Sequence, residues 1–295
     1  MAALLPRVKS KMFIFAHRKV RGLLDGEYGS VFKGSSLDFD DLRAYVPGDD
    51  VRAIDWKATA RHGSPLIRRY VAVRQQNVLL VTDTGRNMAA VARGGETKKD
   101  LAVLALGVIG LLAQKHGDPV GLVSGDASGS RHLPAQSGEA HLERLLRDVD
   151  GASLSAPPSR LQGQLEYIAS TFGRRMLLFV VADEVTADAG LEKILRRLRA
   201  QHEILWLTIR DAELANAEMA AVGADTFSVD DFSPLLRRLA GSPAVARSYA
   251  EAMERRDGER SAMLRRVGIS EGELGSSAEV MPALFSLLER HRRGG

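Results

Sequence analysis

At 295 residues and without a single cysteine, the chain can bury an α/β core unaided, and a disulfide framework, Cys-ligated zinc and a cysteine nucleophile are excluded. The absence of cysteine fits a reducing cytoplasm. Against 37 Asp and Glu stand 41 Lys and Arg, and a formal charge of +4 is too small an excess to make nucleic acid the expected partner.

The first residues, MAALLPRVKSKMFIFAHRKV, break a short apolar run with Lys, Arg and His and have no small-residue cleavage site behind them, so they do not read as a signal peptide. An amphipathic helix is expected within residues 1–25. From Gly26 to about Tyr70 turn residues recur every few positions, and Pro47-Gly48-Asp49-Asp50 marks a tight turn, which predicts a small irregular or β-rich module. The apolar run in NVLLVTDTGRN, residues 77–87, predicts a strand covered on both faces and ended by Asp83.

LAVLALGVIGLLA, residues 101–113, is shorter than the roughly 20 residues of a bilayer span and reads as a buried core helix. Then come a strand in PVGLVSGD, helices in EAHLERLLRDV and QLEYIASTF, a strand in RMLLFVVADE, a helix in LEKILRRLRAQ and a strand in EILWLTIRD. Such alternation predicts an α/β fold, a doubly wound and mostly parallel sheet with helices on both faces. From Ser233 onward the spacing of apolar residues is helical. The expected division is an N-terminal helix with its module at 1–72, then the α/β domain with a helical extension at 73–295.

In such sheets the functional crevice lies beyond the carboxyl ends of the strands, which singles out Asp83 and Asp183. Two strand-end carboxylates suit Mg²⁺, though Asp at a strand end also caps the following helix. The stretch LRAYVPGDDVRAIDWKATARHGSPLIRRY, residues 42–70, is the densest in charge. Its Arg43, Asp49, Asp50, Arg52, Asp55, Arg61, Arg68 and Arg69 offer bidentate Arg–carboxylate pairs, and Trp56 offers an apolar anchor. It reads as a structural pin, as a docking surface, or as a catalytic site whose nearest histidine is His62. GGETKK at 94–99 lacks the spacing of a phosphate-binding loop, and no histidine pair has zinc-ligand spacing.

DTGRN after an apolar strand resembles the metal-ion-dependent adhesion site of von Willebrand factor A domains. The stretch from GEYGSVFKG to PLIRRY closely resembles the signature of the bacterial family known as domain of unknown function fifty-eight, with Arg43, Tyr45, Pro47, Gly48, Asp49, Asp50, Arg52, Asp55, Trp56 and Arg61 on its marked positions. The resemblance implies a von Willebrand factor A-like fold and a role as adaptor or chaperone partner of a MoxR-type AAA+ ATPase. Of the implied metal ligands, Asp83 and Asp183 match, Gly85 and Asn87 stand where serines are expected, and Ser159 is the nearest candidate for the threonine. The site is therefore expected to be degenerate, with no cofactor or only weakly held Mg²⁺.

The expected function is a non-enzymatic, cytoplasmic protein-interaction module, with Asp83, Thr84, Asn87 and Asp183 on its rim. Two alternatives stay open: an Mg²⁺-dependent hydrolase using Asp83 and Asp183, and a nucleic-acid binder acting through the Arg-rich C-terminal helices. No membrane span is expected.

Overall fold

The computed structural model describes residues 3–16, 26, 28, 35–47, 49–73, 76–212, 228–229 and 243–294. The side chains of residues 14–16, 35–41 and 68–73 lie outside that description, as does Gly48 of the signature. The chain divides into two compact units, residues 32–76 and the remainder.

The smaller unit is an antiparallel pair, β1 (Ser35–Ala44) with β2 (Leu66–Val73). Their connection holds a single 3₁₀ turn at Val51–Ala53 and a short helix, α2 (Trp56–His62). Asp50 caps the 3₁₀ turn, Asp55 caps α2 through the N–H groups of Lys57 and Ala58, and Gly63 ends α2 in the left-handed region at φ 80°. Among its described side chains, Ile54 and Ile67 are the buried apolar ones.

The larger unit begins with α1 (Leu4–Ala16) and continues with β3 (Val78–Thr82), α3 (Lys98–Lys115), β4 (Val120–Asp126), β5 (Gly129–Gln136), α4 (Glu139–Asp150), α5 (Leu161–Thr171), β6 (Leu177–Ala182), α6 (Ala189–Gln201), β7 (Glu203–Ile209), α7 (Pro243–Val267), β8 (Ser270–Leu274) and α8 (Val280–Gly294). The sheet order is β5-β4-β3-β6-β7-β8, parallel throughout except for β5. Helices α1, α3, α4 and α8 cover one face and α5, α6 and α7 the other. This is the doubly wound, mostly parallel α/β class expected from the sequence. Both central strands, VLLVT and LLFVVA, are buried along their whole length, because helices shut both faces away from water. Helix α3 is buried nearly all round, as its uninterrupted apolar run requires. Among the described residues no helix is long and apolar enough to cross a membrane.

One expectation is corrected. Helix α1 belongs with the sheet and not with the signature module: Leu5, Val8 and Met12 are buried, and Val8 lies so close over Gly107 that a Cβ there would come within 2.7 Å of it. The first N–H groups of α1, left unpaired by helix geometry, are taken by Glu143 of α4 at 2.8 to 3.0 Å. Among the described residues beyond Ser233 the chain is largely helical, as expected, and Ser270–Leu274 adds an edge strand, β8, paired with β7. The opposite edge, β5, also escapes the sequence pattern.

Candidate functional site

The carboxyl ends of β3, β4, β6 and β7 form one rim, and the order of the strands reverses between β3 and β6. Asp83 follows β3 and Asp183 follows β6, so the two carboxylates flank that switch point. Thr84 ties β3 to β4, its N–H and hydroxyl both donating to the Gly125 carbonyl at 2.7 and 3.1 Å.

Asp83 is buried, and its two oxygens accept separate backbone N–H groups, from Gly85 and Arg160, each at 2.6 Å. Burial pushes its carboxyl up to about 6, against the pull of these hydrogen bonds. Ser159 Oγ lies near enough to lower that value but meets no hydrogen-bond geometry with any described partner. The loop carrying Ser159 is drawn in by the Arg160 bond to Asp83 and by Arg86 N–H donating to the Pro157 carbonyl at 3.0 Å. That approach needs glycine at position 85: a Cβ there would stand 2.6 Å from the Ser159 backbone. Asn87 Oδ1 is buried with no hydrogen-bond partner among the described residues.

Asp183 is engaged differently. One of its oxygens accepts the N–H of Glu184 at 2.7 Å and the ammonium of Lys98 at 2.5 Å. Lys98 is the first residue of α3 and is only 2 % exposed, and its ammonium also pairs with Asp211, just beyond β7. Burial pulls the Lys98 pKa down, and the charges of Asp183 and Asp211 more than reverse this, leaving it above the usual lysine value.

The sequence reading thus brought Asp83, Thr84, Asn87, Ser159 and Asp183 to the same rim, and the structure adds Lys98 and Asp211, which that reading missed. A signal for Lys98 was present. A lysine directly after the capping Thr97 sits at the positive end of the helix dipole, which needs a compensating partner. The residues present do not make the oxygen cage that a divalent cation takes. One serine position is a glycine packed against backbone, Asp83 is committed to two N–H groups, and an ammonium sits on Asp183. Among the described residues, no group of three His, Cys, Asp or Glu side chains is arranged to hold a metal.

Toward β8 the rim is closed by ion pairs to α7. Glu184 meets Arg210 at 3.2 Å and Arg256 at 3.5 Å, and Arg210 reaches Asp257 at 2.5 Å. Arg260 is fully buried between Asp257, Glu271 and Glu273 at 2.7 to 3.0 Å. Arg260 of α7 is therefore neutralised inside the protein, and Arg256 is paired at the rim.

In the signature unit, Arg43 grips Asp49 with two parallel bonds of 2.7 and 2.6 Å, and Asp49 also accepts the Val46 N–H. Asp50 and Asp55 serve as caps, as described above, and Arg52, Arg61 and Pro47 are exposed. The Tyr45 N–H donates to the Pro65 carbonyl. Trp56 does not act as the buried anchor expected of it: as the first residue of α2 it is 68 % exposed, with Val46 and Val51 also exposed.

Comparison with known proteins follows the same outline. Residues 41–257 match the family described as protein of unknown function DUF58. The uncharacterised proteins Mb1516 of Mycobacterium bovis and Rv1480 of Mycobacterium tuberculosis are each 26 % identical over 280 residues, covering 94 % of this chain and 86 % of theirs. Among solved structures, an aerotolerance-related membrane protein from Bacteroides fragilis covers 73 % of this chain and 99 % of its own, at 14 % identity and a TM-score of 0.45. A von Willebrand factor type A protein from Catenulispora acidiphila covers 76 % of this chain and 44 % of its own, at 12 % identity and a TM-score of 0.40.

Proposed function

The chain belongs to the DUF58 family, and on that premise we propose that it is a non-enzymatic protein-interaction module, an adaptor for a MoxR-type AAA+ ATPase. The observation that carries the reading is Trp56, left 68 % exposed in the signature unit beside exposed Val46 and Val51. A solvent-facing tryptophan is the kind of side chain that anchors protein interfaces. The rim supports the same reading from the other side, because its carboxylates are taken up by backbone N–H groups and by Lys98 and form no nucleophile–base pair. Within this reading the adhesion-type metal site is degenerate, and the chain works in the cytoplasm, in keeping with its lack of cysteine.

The test is affinity purification of the tagged protein from its own cells, with ATP and Mg²⁺ present, followed by mass spectrometry of wild type and Trp56→Ala. An AAA+ ATPase recovered with wild type and lost with Trp56→Ala is the expected result; its absence from the wild-type sample refutes the adaptor role. The hydrolase alternative requires Mg²⁺-dependent phosphoester turnover that vanishes in Asp183→Ala, and the ammonium seated on Asp183 argues against it. The nucleic-acid alternative requires free basic charge on the C-terminal helices; Arg256, Arg260 and Arg266 are ion-paired, while Arg255 and Arg265 are exposed, so a gel shift at low salt decides it.

A further inference from the structure

We infer that the Lys98 ammonium is the resident cation of the rim, a covalently tethered replacement for a divalent ion, so that the rim is organised without metal. This goes beyond the adaptor reading and does not depend on which partner binds.

Three independent features converge on it. Lys98 is 2 % exposed, and a buried ammonium persists only if its charge is met. It stands at the first position of α3, where the helix dipole opposes a cation, so the helix itself supplies no compensation. The compensation comes from Asp183 at 2.5 Å and from Asp211, each lying beyond the end of a different strand. The ammonium thereby joins the start of α3 to the ends of β6 and β7, the cross-linking that an ion held between strand-end carboxylates would perform.

The surroundings agree with a tethered cation and not with a bound one. Asp83, the other carboxylate at the switch point, is satisfied by the Gly85 and Arg160 N–H groups and is not bonded to Lys98. The 2.6 Å approach of Ser159 to a Cβ at position 85 bars a serine from returning its hydroxyl. An ammonium needs fewer oxygens than a six-coordinate ion, and two carboxylates satisfy it.

The experiment uses the full chain, freed of metal with EDTA, and reads thermal unfolding together with Mn²⁺ binding by the electron paramagnetic resonance of free Mn²⁺. Wild type is expected to melt at the same temperature in EDTA and in millimolar Mn²⁺ and to bind none at micromolar concentration. Lys98→Met keeps the length of the side chain and removes the charge; its melting temperature is expected to fall by about 6 °C or more. Lys98→Met/Asp183→Asn is expected to lose less than Lys98→Met, since one stranded carboxylate has gone. Micromolar Mn²⁺ binding by wild type overturns the inference, and so does a Lys98→Met protein as stable as wild type. If Lys98→Met does not fold, the Mn²⁺ titration of wild type and the melting of Asp183→Asn decide: binding, or an unchanged melting temperature, overturns the inference, and their opposites support it.

Discussion

Lys98 Nζ lies 2.5 Å from Asp183 Oδ1, so the first residue of α3 is bonded to the residue that ends β6. An aspartate at that point of a doubly wound sheet can serve a metal, a helix cap or a lysine with the same backbone geometry. What selects among them is the charge that the neighbouring helix start delivers. Here that charge is an ammonium on the chain itself, held on Asp183 Oδ1.

The contact between Gly85 and Ser159 yields the first prediction. Gly85→Ser would restore an adhesion-type serine on paper, yet its Cβ would lie 2.6 Å from the Ser159 backbone, and its backbone at φ −69° places no other demand on the residue. The substitution is therefore expected to cost about 1–3 kcal/mol through overpacking and to gain no Mn²⁺ binding. Urea unfolding and a Mn²⁺ titration check it together; a serine variant as stable as wild type would show that the 157–160 loop yields freely.

The same rim explains how far the sequence could be read. VLLVT and LLFVVA are visible as strands because burial on both faces demands unbroken apolar runs, and Asp83 and Asp183 are visible because they end those runs. SEGEL at 270–274 carries no such mark: Glu271 and Glu273 sit in a strand because Arg260, a helix away, neutralises them. GSRHLPAQ at 129–136 is an edge strand, half polar and carrying a proline, which the pairing of β5 with β4 alone defines. Arg210 and Arg256 were illegible as site residues for the same reason, and Lys98, marked only by its place after Thr97, could not be given its partners. Their roles depend on partners 26 to 113 positions away, fixed only when the strands are in order.

Arg260 gives the second prediction. Its guanidinium is 0 % exposed and meets Glu271, Asp257 and Glu273 at 2.8, 2.7 and 3.0 Å, so it fastens α7 to β8. Arg260→Met keeps much of the volume but leaves carboxylates facing one another in a partly closed site. A loss of about 3–5 kcal/mol is expected by urea unfolding at neutral pH. Adding Glu271→Gln to that variant should recover part of it, because fewer uncompensated charges remain; a loss below about 1 kcal/mol would mean that the network behaves like an exposed one.

His202 sets a pH dependence. It is 1 % exposed, and neither ring nitrogen has a hydrogen-bond partner among the described residues. Burial lowers its pKa from 6.5, as it also does for His132 and His291. The unfolded chain therefore takes up protons at a higher pH than the folded one, so stability falls as the pH drops through 6.5 and levels off only below the folded-state value. Asp83, with its carboxyl raised to about 6, acts in the opposite sense over the same range, so His202 is read as a difference: from about pH 8 down to about pH 5 the melting temperature of wild type should fall relative to that of His202→Leu. Equal slopes in the two proteins would remove His202 from the account.

Trp56 separates folding from recognition. Its ring is 68 % exposed, while the local structure around it is held by other groups: Asp55 caps α2, Thr59 Oγ1 accepts the Leu66 N–H at 3.0 Å, and Ile54 and Ile67 are buried. Trp56→Ala should therefore change unfolding free energy by less than about 0.5 kcal/mol, the range of ordinary surface substitutions. If the exposed indole is a docking anchor, the same variant should weaken partner binding by about 2 kcal/mol or more, the scale of an interface hot spot. The two effects are read on the same purified protein, by urea unfolding and by binding to the recovered partner. A large loss of stability would return Trp56 to the structural role expected from the sequence, and an unchanged affinity would move the docking surface away from the signature unit.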